Sequence, residues 1–421
     1  MYEGRDYMNR KLKFVFLIFF VLLISFIFII LYSEKKNMDE LRTEYPDISE
    51  KAYSYRNTNL KIWGLSLFLK FLIPILFLTT GFSSYIQRYA KGNGRGLFLT
   101  AAIYILIFSI VDFIIDIPLN YYGNFVIQHR YGLSAQGIYR WLEMELKGFG
   151  LNLIISIIVG WFPFYLIKMS PSRWWLYLGI IAIPIFIFVN IISPMYIDPI
   201  FNKYTELKDK ELEADIKKLL EKAGIENAQI YEVDKSKDTN TMNAYMTGIL
   251  KSKRIVLWDT TINKLTRQET VNVTAHEMGH YVNNHIIKST IVGGISTILL
   301  LFLVNKTSLW ILKNSRGIFG FKNLYEVAAI PLLILCLNFY LFLSSPVSNW
   351  YSRKMEWEAD KYELDITKNK GATVSSLEKI YEESLSIPRP SNIYKIWYYS
   401  HPSLEERVKF AENYKFENKL P

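Results

Sequence analysis

Blocks of about 20 apolar residues, set between charged stretches, constrain this chain more than any other feature of its sequence. A helix needs about 20 such residues to cross a hydrocarbon core about 30 Å thick, because in lipid every backbone N–H must be satisfied within its own segment. Seven stretches meet or approach that length: Lys13–Tyr32, about Ile62–Tyr85, Leu97–Ile117, Leu151–Ile167, Trp174–Ile197, Ile286–Val304 and Val327–Pro346. The first follows Arg10 and Lys11, carries no charge from Phe14 to Tyr32, and is too long, without a small-residue cleavage site, for a removed signal peptide. It reads as a retained anchor. The mean hydropathy of +0.12 is then an average over apolar spans and a charged remainder.

A single cysteine, Cys336, excludes an intramolecular disulfide and any cysteine-built metal cluster, so a metal would need His and carboxylate ligands. Lys and Arg number 49 against 39 Asp and Glu, a formal charge of +10 that would suit nucleic acid. The basic residues gather at the edges of the apolar blocks, however, and membrane topology explains them with no nucleic acid involved. Three ionisable residues fall inside spans: Lys70 in the second, and Asp112 and Asp116, one turn apart, in the third. Each is costly in lipid unless it faces an aqueous interior; the plainer alternative has Lys70 snorkelling and Asp116 at an interface.

Two spans separate the polar region 198–285 from the polar tail 347–421, so both lie on one side of the membrane and can build one site. The expected division is 1–197 (five spans and their loops), 198–285, the hairpin 286–346, and 347–421. Loop charges leave the side open: Arg88, Lys91, Arg95, Lys306, Lys313, Arg316 and Lys322 on one face compete with Lys35, Lys36, Arg353 and Lys354 on the other.

In the polar region, Leu212, Ile216, Leu219, Leu220 and Ala223 recur with the period of an amphipathic helix ending near Gly224. Ala228–Asp234 and Arg254–Asp259 read as strands joined by a polar loop that contains NAYMTG from Asn243, giving a sheet with a free edge. Next comes VTAHEMGHYV. His276 and His280, about 400° of helical rotation apart, can both reach one ion at about 2.0–2.1 Å, and Glu277 can take a proton from a water that the metal activates. Uncharged flanks suit a buried active-site helix.

A third protein ligand is then required. His285 lies about 140° around a continuous helix from His280 and points elsewhere. The segment SRKMEWEADKYELD offers Glu356 and Asp360 on a common face, one suited to the metal and one to orienting a ligand imidazole through its free N–H, whereas Glu358 falls on the opposite, solvent-facing side. His401, before Pro402, reads on its own as a turn or cap residue.

The motifs QHRYGLSAQ, DPIFNKYTEL, NAYMTGILKSKRIVLWDT, TAHEMGHYVNNH, SRKMEWEAD and SHPSLEERV, in that order from about Phe125 onward, resemble the type I CAAX prenyl endopeptidases, integral-membrane zinc proteases. The resemblance implies a mainly α, polytopic fold: seven transmembrane helices enclosing a water-filled chamber, capped by a small α+β gluzincin-like zinc protease domain. It further implies one Zn2+ per chain on His276, His280 and Glu356, with Glu277 as base and Asp360 behind the ligands. Asn243, Ala244 and Tyr245 would bind the substrate backbone, and His401 and Arg407 would polarise the scissile carbonyl or hold the substrate. Met242 and Met246 stand where that family more often has a small residue and Phe.

The expected activity is metal-assisted endoproteolysis of a peptide or protein, either a prenylated C-terminal peptide or, in a bacterium, membrane and misfolded proteins. The chain would act as a monomer in the lipid bilayer, in the cell membrane if bacterial and the endoplasmic reticulum if eukaryotic, with the site facing the cytoplasm by resemblance. A polytopic transporter would explain the intramembrane charges but gives His276, Glu277 and His280 no role, and an inactive membrane scaffold would be expected to show a broken metal motif.

Overall fold

The computed structural model describes residues 9–248 and 252–416. Ile249, Leu250 and Lys251, within the NAYMTGILKSKRIVLWDT motif, lie outside the described residues, as do 1–8 and 417–421. Six described helices are long and apolar enough to cross a membrane: Arg10–Glu44, Glu50–Thr79, Leu97–Arg130, Ile138–Met169, His285–Asn314 and Val327–Thr367. The bent pair Trp174–Asn190 and Met195–Phe201, whose halves meet at 55°, makes a seventh if the two halves are counted as one span. Phe14, Leu22, Phe28, Ile158, Phe188 and Ile295 are exposed on these helices, as residues that face lipid must be.

The helices outrun the apolar blocks that mark them. The second begins at Glu50 rather than near Ile62 and stops at Thr79, because its polar first turns continue outside the bilayer and Gly81, at φ +73°, breaks it. A separate helix, Phe82–Lys91, takes the residues read as its end. Pro74, Pro118, Pro184 and Pro346 sit inside spans, where neighbouring groups can satisfy the freed carbonyls. Lys70, Asp112 and Asp116 line one cavity of about 350 Å³ together with Asn120 and Asn338. Asp112, Asp116 and Asn120 also border a second cavity of about 450 Å³ that reaches Glu145 and Asn152. The intramembrane charges therefore border shared cavities rather than lying apart from one another.

The polar region folds into a four-stranded sheet of order β1-β2-β4-β3, with β1 Tyr204–Glu206, β2 Gln229–Val233, β3 Ala244–Thr247 and β4 Arg254–Trp258. The pair β2/β4 is parallel, while β1/β2 and β3/β4 are antiparallel. The stretch read as a polar loop thus contains a strand: Ala244 and Met246 are buried while Tyr245 and Thr247 are not, the alternation of a half-buried edge. The amphipathic helix Lys210–Lys222 buries Leu212, Ile216, Leu219 and Leu220 against this sheet, and Gly224 at φ +66° ends it. Its core joins Ile230, Ile255 and Leu257 to Ala275 and Met278 of the helix Arg267–Val282.

The last long helix, Ile330–Thr367, has 38 residues, about 57 Å at about 1.5 Å per residue. It spans the apolar block and continues, unbroken, into the polar part that packs beside the sheet domain. Loops tie the two parts together. His129 sets its two ring nitrogens against the carbonyl oxygens of Phe125 (Nδ1, 2.7 Å) and Gln136 (Nε2, 2.8 Å), shaping the turn whose Leu133 carbonyl accepts from Asn240 N at 2.8 Å. Arg140 holds Asp238 at 2.9 Å and the Phe201 carbonyl at 2.7 Å. The QHRYGLSAQ segment is thereby a brace for the approach to β3.

Candidate metal centre

The helix Arg267–Val282 starts at a reciprocal cap. Thr266 accepts from Glu269 N, and the Glu269 carboxylate accepts from Thr266 N at 2.7 Å. Lys379 and Ser375 grip the same carboxylate at 2.8 and 2.5 Å. Burial would raise its pKa, but these bonds outweigh it and hold Glu269 at about 2. Along the helix Gly279 permits close contact with the last helix: a Cβ there would stand 3.0 Å from Ala359 Cα and 3.1 Å from the Ala359 carbonyl oxygen. That approach brings Glu356 to the two histidines.

His276 Nε2 and His280 Nε2 are 3.2 Å apart; Glu356 Oε2 lies 3.4 Å from the first and Glu356 Oε1 lies 3.5 Å from the second. Ligands at about 2.0–2.1 Å around a tetrahedral zinc ion are separated by about 3.3 Å, so the three groups already have the required spacing. Two further facts fit a cation. Glu356 Oε2 is buried with no hydrogen-bond partner. Each ring also has a partner at its other nitrogen that can hold the ring proton there: His276 Nδ1 is 2.9 Å from Asp360 Oδ1, and His280 Nδ1 is 2.9 Å from His285 Nδ1. Two lone pairs and a carboxylate then converge on one point.

Electrostatics agree. Burial opposes charging His276, but the carboxylates of Asp360 and Glu356 beside it raise its pKa well above the usual histidine range, so the pocket favours positive charge. Burial, with His276 next to it, drops His280 to about 4 and keeps it neutral. Burial also pushes Glu277 up to about 7, against the pull of His276. Asp360, almost fully buried, receives two bonds from Arg407, Nη2 to Oδ1 at 2.6 Å and Nε to Oδ2 at 3.0 Å. Arg407 thereby braces His276 through Asp360, and it also lines the cavity beside Glu277.

Glu277 lies where two cavities meet. One, of about 230 Å³, is walled by Val273, Leu377, Ile380, Tyr381 and His401, with Asn243 and Ala244 at its edge. The other, of about 520 Å³, runs along Phe186, Met246, Ile286 and Met355. His401 is exposed, with Nε2 3.3 Å from Glu356 Oε1. Asn243 Oδ1 accepts from Ala244 N at 2.8 Å, and its carbonyl accepts from Trp258 N and Thr261 Oγ1. The Tyr245 side chain goes to the opposite face of β3, where its hydroxyl meets that of Tyr204 at 3.0 Å. That ring is therefore away from the cavity that Asn243 and Ala244 border.

Two expectations change. Asn284, at φ +55°, breaks the helix after Val282, so His285 turns back onto His280 instead of pointing away. Glu358 is only partly exposed, and its Oε2 sits 3.1 Å from His285 Nε2. Glu363 was missed: it accepts from Thr373 Oγ1 at 2.5 Å and stands 3.9 Å from His276 Nδ1. The stripe Glu356, Asp360, Glu363, at i, i+4 and i+7 on one helix, was the signal that could have found it.

Comparison with known proteins places these features in a family. Residues 206–415 match the model of peptidase family M48, and residues 31–203 match that of the CAAX prenyl protease N-terminal region, five membrane helices. The chain is 32% identical over 366 residues to an uncharacterized metalloprotease of Bacillus subtilis, covering 86% of each chain. It is 29% identical over 316 residues to CAAX prenyl protease 1 of Saccharomyces cerevisiae, covering 71% of this chain and 69% of that one. The crystal structure of S. mikatae Ste24p superposes with a TM-score of 0.81 at 24% identity, covering 94% of this chain and 98% of that one, a likeness of fold.

Proposed function

The chain belongs to peptidase family M48 as a multi-pass membrane metalloprotease, and from that premise we propose that it cleaves extended peptide segments with a zinc ion held by His276, His280 and Glu356. The observation that carries the reading is the spacing of those three groups around a buried carboxylate oxygen with no other partner. A zinc ion held there would supply Lewis acidity toward a water and the scissile carbonyl. Glu277, between the two cavities, takes the proton of that water and returns it to the leaving nitrogen. His401 donates to the carbonyl oxygen as negative charge develops there. Arg407 and Asp360 fix the His276 ring. The outer edge of β3, starting at Asn243 and Ala244, accepts the substrate as an added strand.

A prenylated C-terminal peptide is a second reading, favoured by the open apolar cavity along Phe186, Met246, Ile286 and Met355 and by the likeness to the yeast CAAX prenyl protease 1. The catalytic face is assigned to the cytoplasm by likeness to that family. The purified chain should cleave peptides only until a chelator removes its metal, with recovery on adding zinc. Activity indifferent to chelation would overturn the zinc assignment. Paired prenylated and unprenylated peptides separate the readings: a kcat/KM at least tenfold higher for the prenylated one supports the second, and equal values support general peptide hydrolysis.

A further inference from the structure

The bond that fixes His276 ends on a buried aspartate. His280 is fixed differently, and nothing said of the family above accounts for it. For His280 Nε2 to face the metal with its lone pair, the ring proton must sit on Nδ1, and the acceptor 2.9 Å from Nδ1 is His285 Nδ1. His285 must then carry its own proton on Nε2, and that atom faces Glu358 Oε2 at 3.1 Å. Glu358 in turn lies 3.8 Å from Lys288 Nζ. His285 itself is buried, and it reaches His280 only because Asn284 adopts the left-handed conformation at φ +55° and ψ 37°.

Resting on the zinc reading above, we propose that His285 and Glu358 are positioning residues that lock the His280 tautomer and aim its Nε2 at the metal. Glu356 and Glu358 thus act from one helix on the same histidine, the first across the metal and the second from behind through His285. The arrangement ties metal affinity to the junction between the protease helix and the sixth span, since Asn284 and His285 are that junction.

Zinc affinity, read by competition with a chromophoric chelator on the full-length chain in detergent, tests this separately from catalysis. Loss of a partner behind a ligating histidine typically weakens metal binding by about 10–100-fold. His285→Ala should fall in that range, and His285→Gln, whose amide oxygen can accept a hydrogen bond from His280 Nδ1–H, should recover most of it. Glu358→Ala should weaken zinc by about tenfold and Glu358→Gln by less, since an acceptor remains. Glu358 is partly exposed, so its variants keep the proposal testable if His285→Ala fails to fold. Zinc affinity within twofold of wild type in folded His285→Ala, or in Glu358→Ala, would overturn the relay while leaving the metal site intact. Failure of the wild-type chain to bind zinc would instead remove the functional reading and the relay with it.

Discussion

Replacing Arg407 by Met tests how the site is held together. Asp360 is almost entirely out of solvent and takes two charge-assisted bonds from the guanidinium, at 2.6 and 3.0 Å, while sharing Oδ1 with His276. Met keeps much of the volume but leaves the carboxylate with His276 alone. Breaking a buried ion pair from one side costs about 3–5 kcal/mol, because the remaining charge stays desolvated. A zinc ion behind His276 would offset part of this loss, so the metal-free protein should suffer more than the zinc-loaded one. Thermal unfolding in detergent, with and without chelator, should therefore show a midpoint lowered by several degrees in both states and by more in the chelated one. Arg407→Lys, which keeps the charge but not the fork, should lie between. A metal-free Arg407→Met protein that melts with wild type would show that Asp360 does not depend on this pair, and the bracing of His276 would have to come from elsewhere.

Other parts of the scaffold give independent outcomes. Glu269, held at about 2 against an unfolded value of about 4.5, contributes stability that is complete above the unfolded pKa and disappears as pH falls toward 2; Glu269→Gln should lower stability near neutrality by about 1–3 kcal/mol, and flatten the acid limb of the unfolding curve. Gly279→Ala places a methyl 3.0 Å from Ala359 Cα and should cost about 1–3 kcal/mol, with weaker zinc binding, as the two metal-bearing helices part. Glu34 is fully buried, bonds Arg56 at 2.8 Å and accepts from Ser391 N at 2.7 Å, so Glu34→Ala should destabilise by about 3–5 kcal/mol; kinetics should show a raised KM, because the 391–401 segment leading to His401 loses its tether.

Much of this was legible because the apolar blocks and the HEMGH motif each follow from a single periodicity. Lipid demands an uninterrupted run, and a shared metal demands His276 and His280 one turn apart. Topology then brought Glu356, 76 positions after His280, back to them by way of the intervening hairpin. What escaped the sequence were features set by where periodicity stops. β3 has only four residues between Asn243 and Gly248, too few for alternation to outweigh turn-forming neighbours. The second span reads short because Glu50–Lys61 continue the helix in water, where hydropathy carries no signal. His285 was misplaced because a wheel drawn through Asn284 assumes a right-handed residue, and that one φ angle moves the ring from the far side to contact with His280. Glu358 went astray with it, since its partner was not there to be seen.

The most direct test of the account is Glu277→Gln in the purified full-length chain, with zinc content and peptide cleavage measured on the same sample. Glu277 is given no part in holding the ion and the central part in moving the proton, so the variant should keep one zinc per chain while cleavage falls by a factor of at least about 10². Near-wild-type cleavage with zinc in place would contradict the account at its centre.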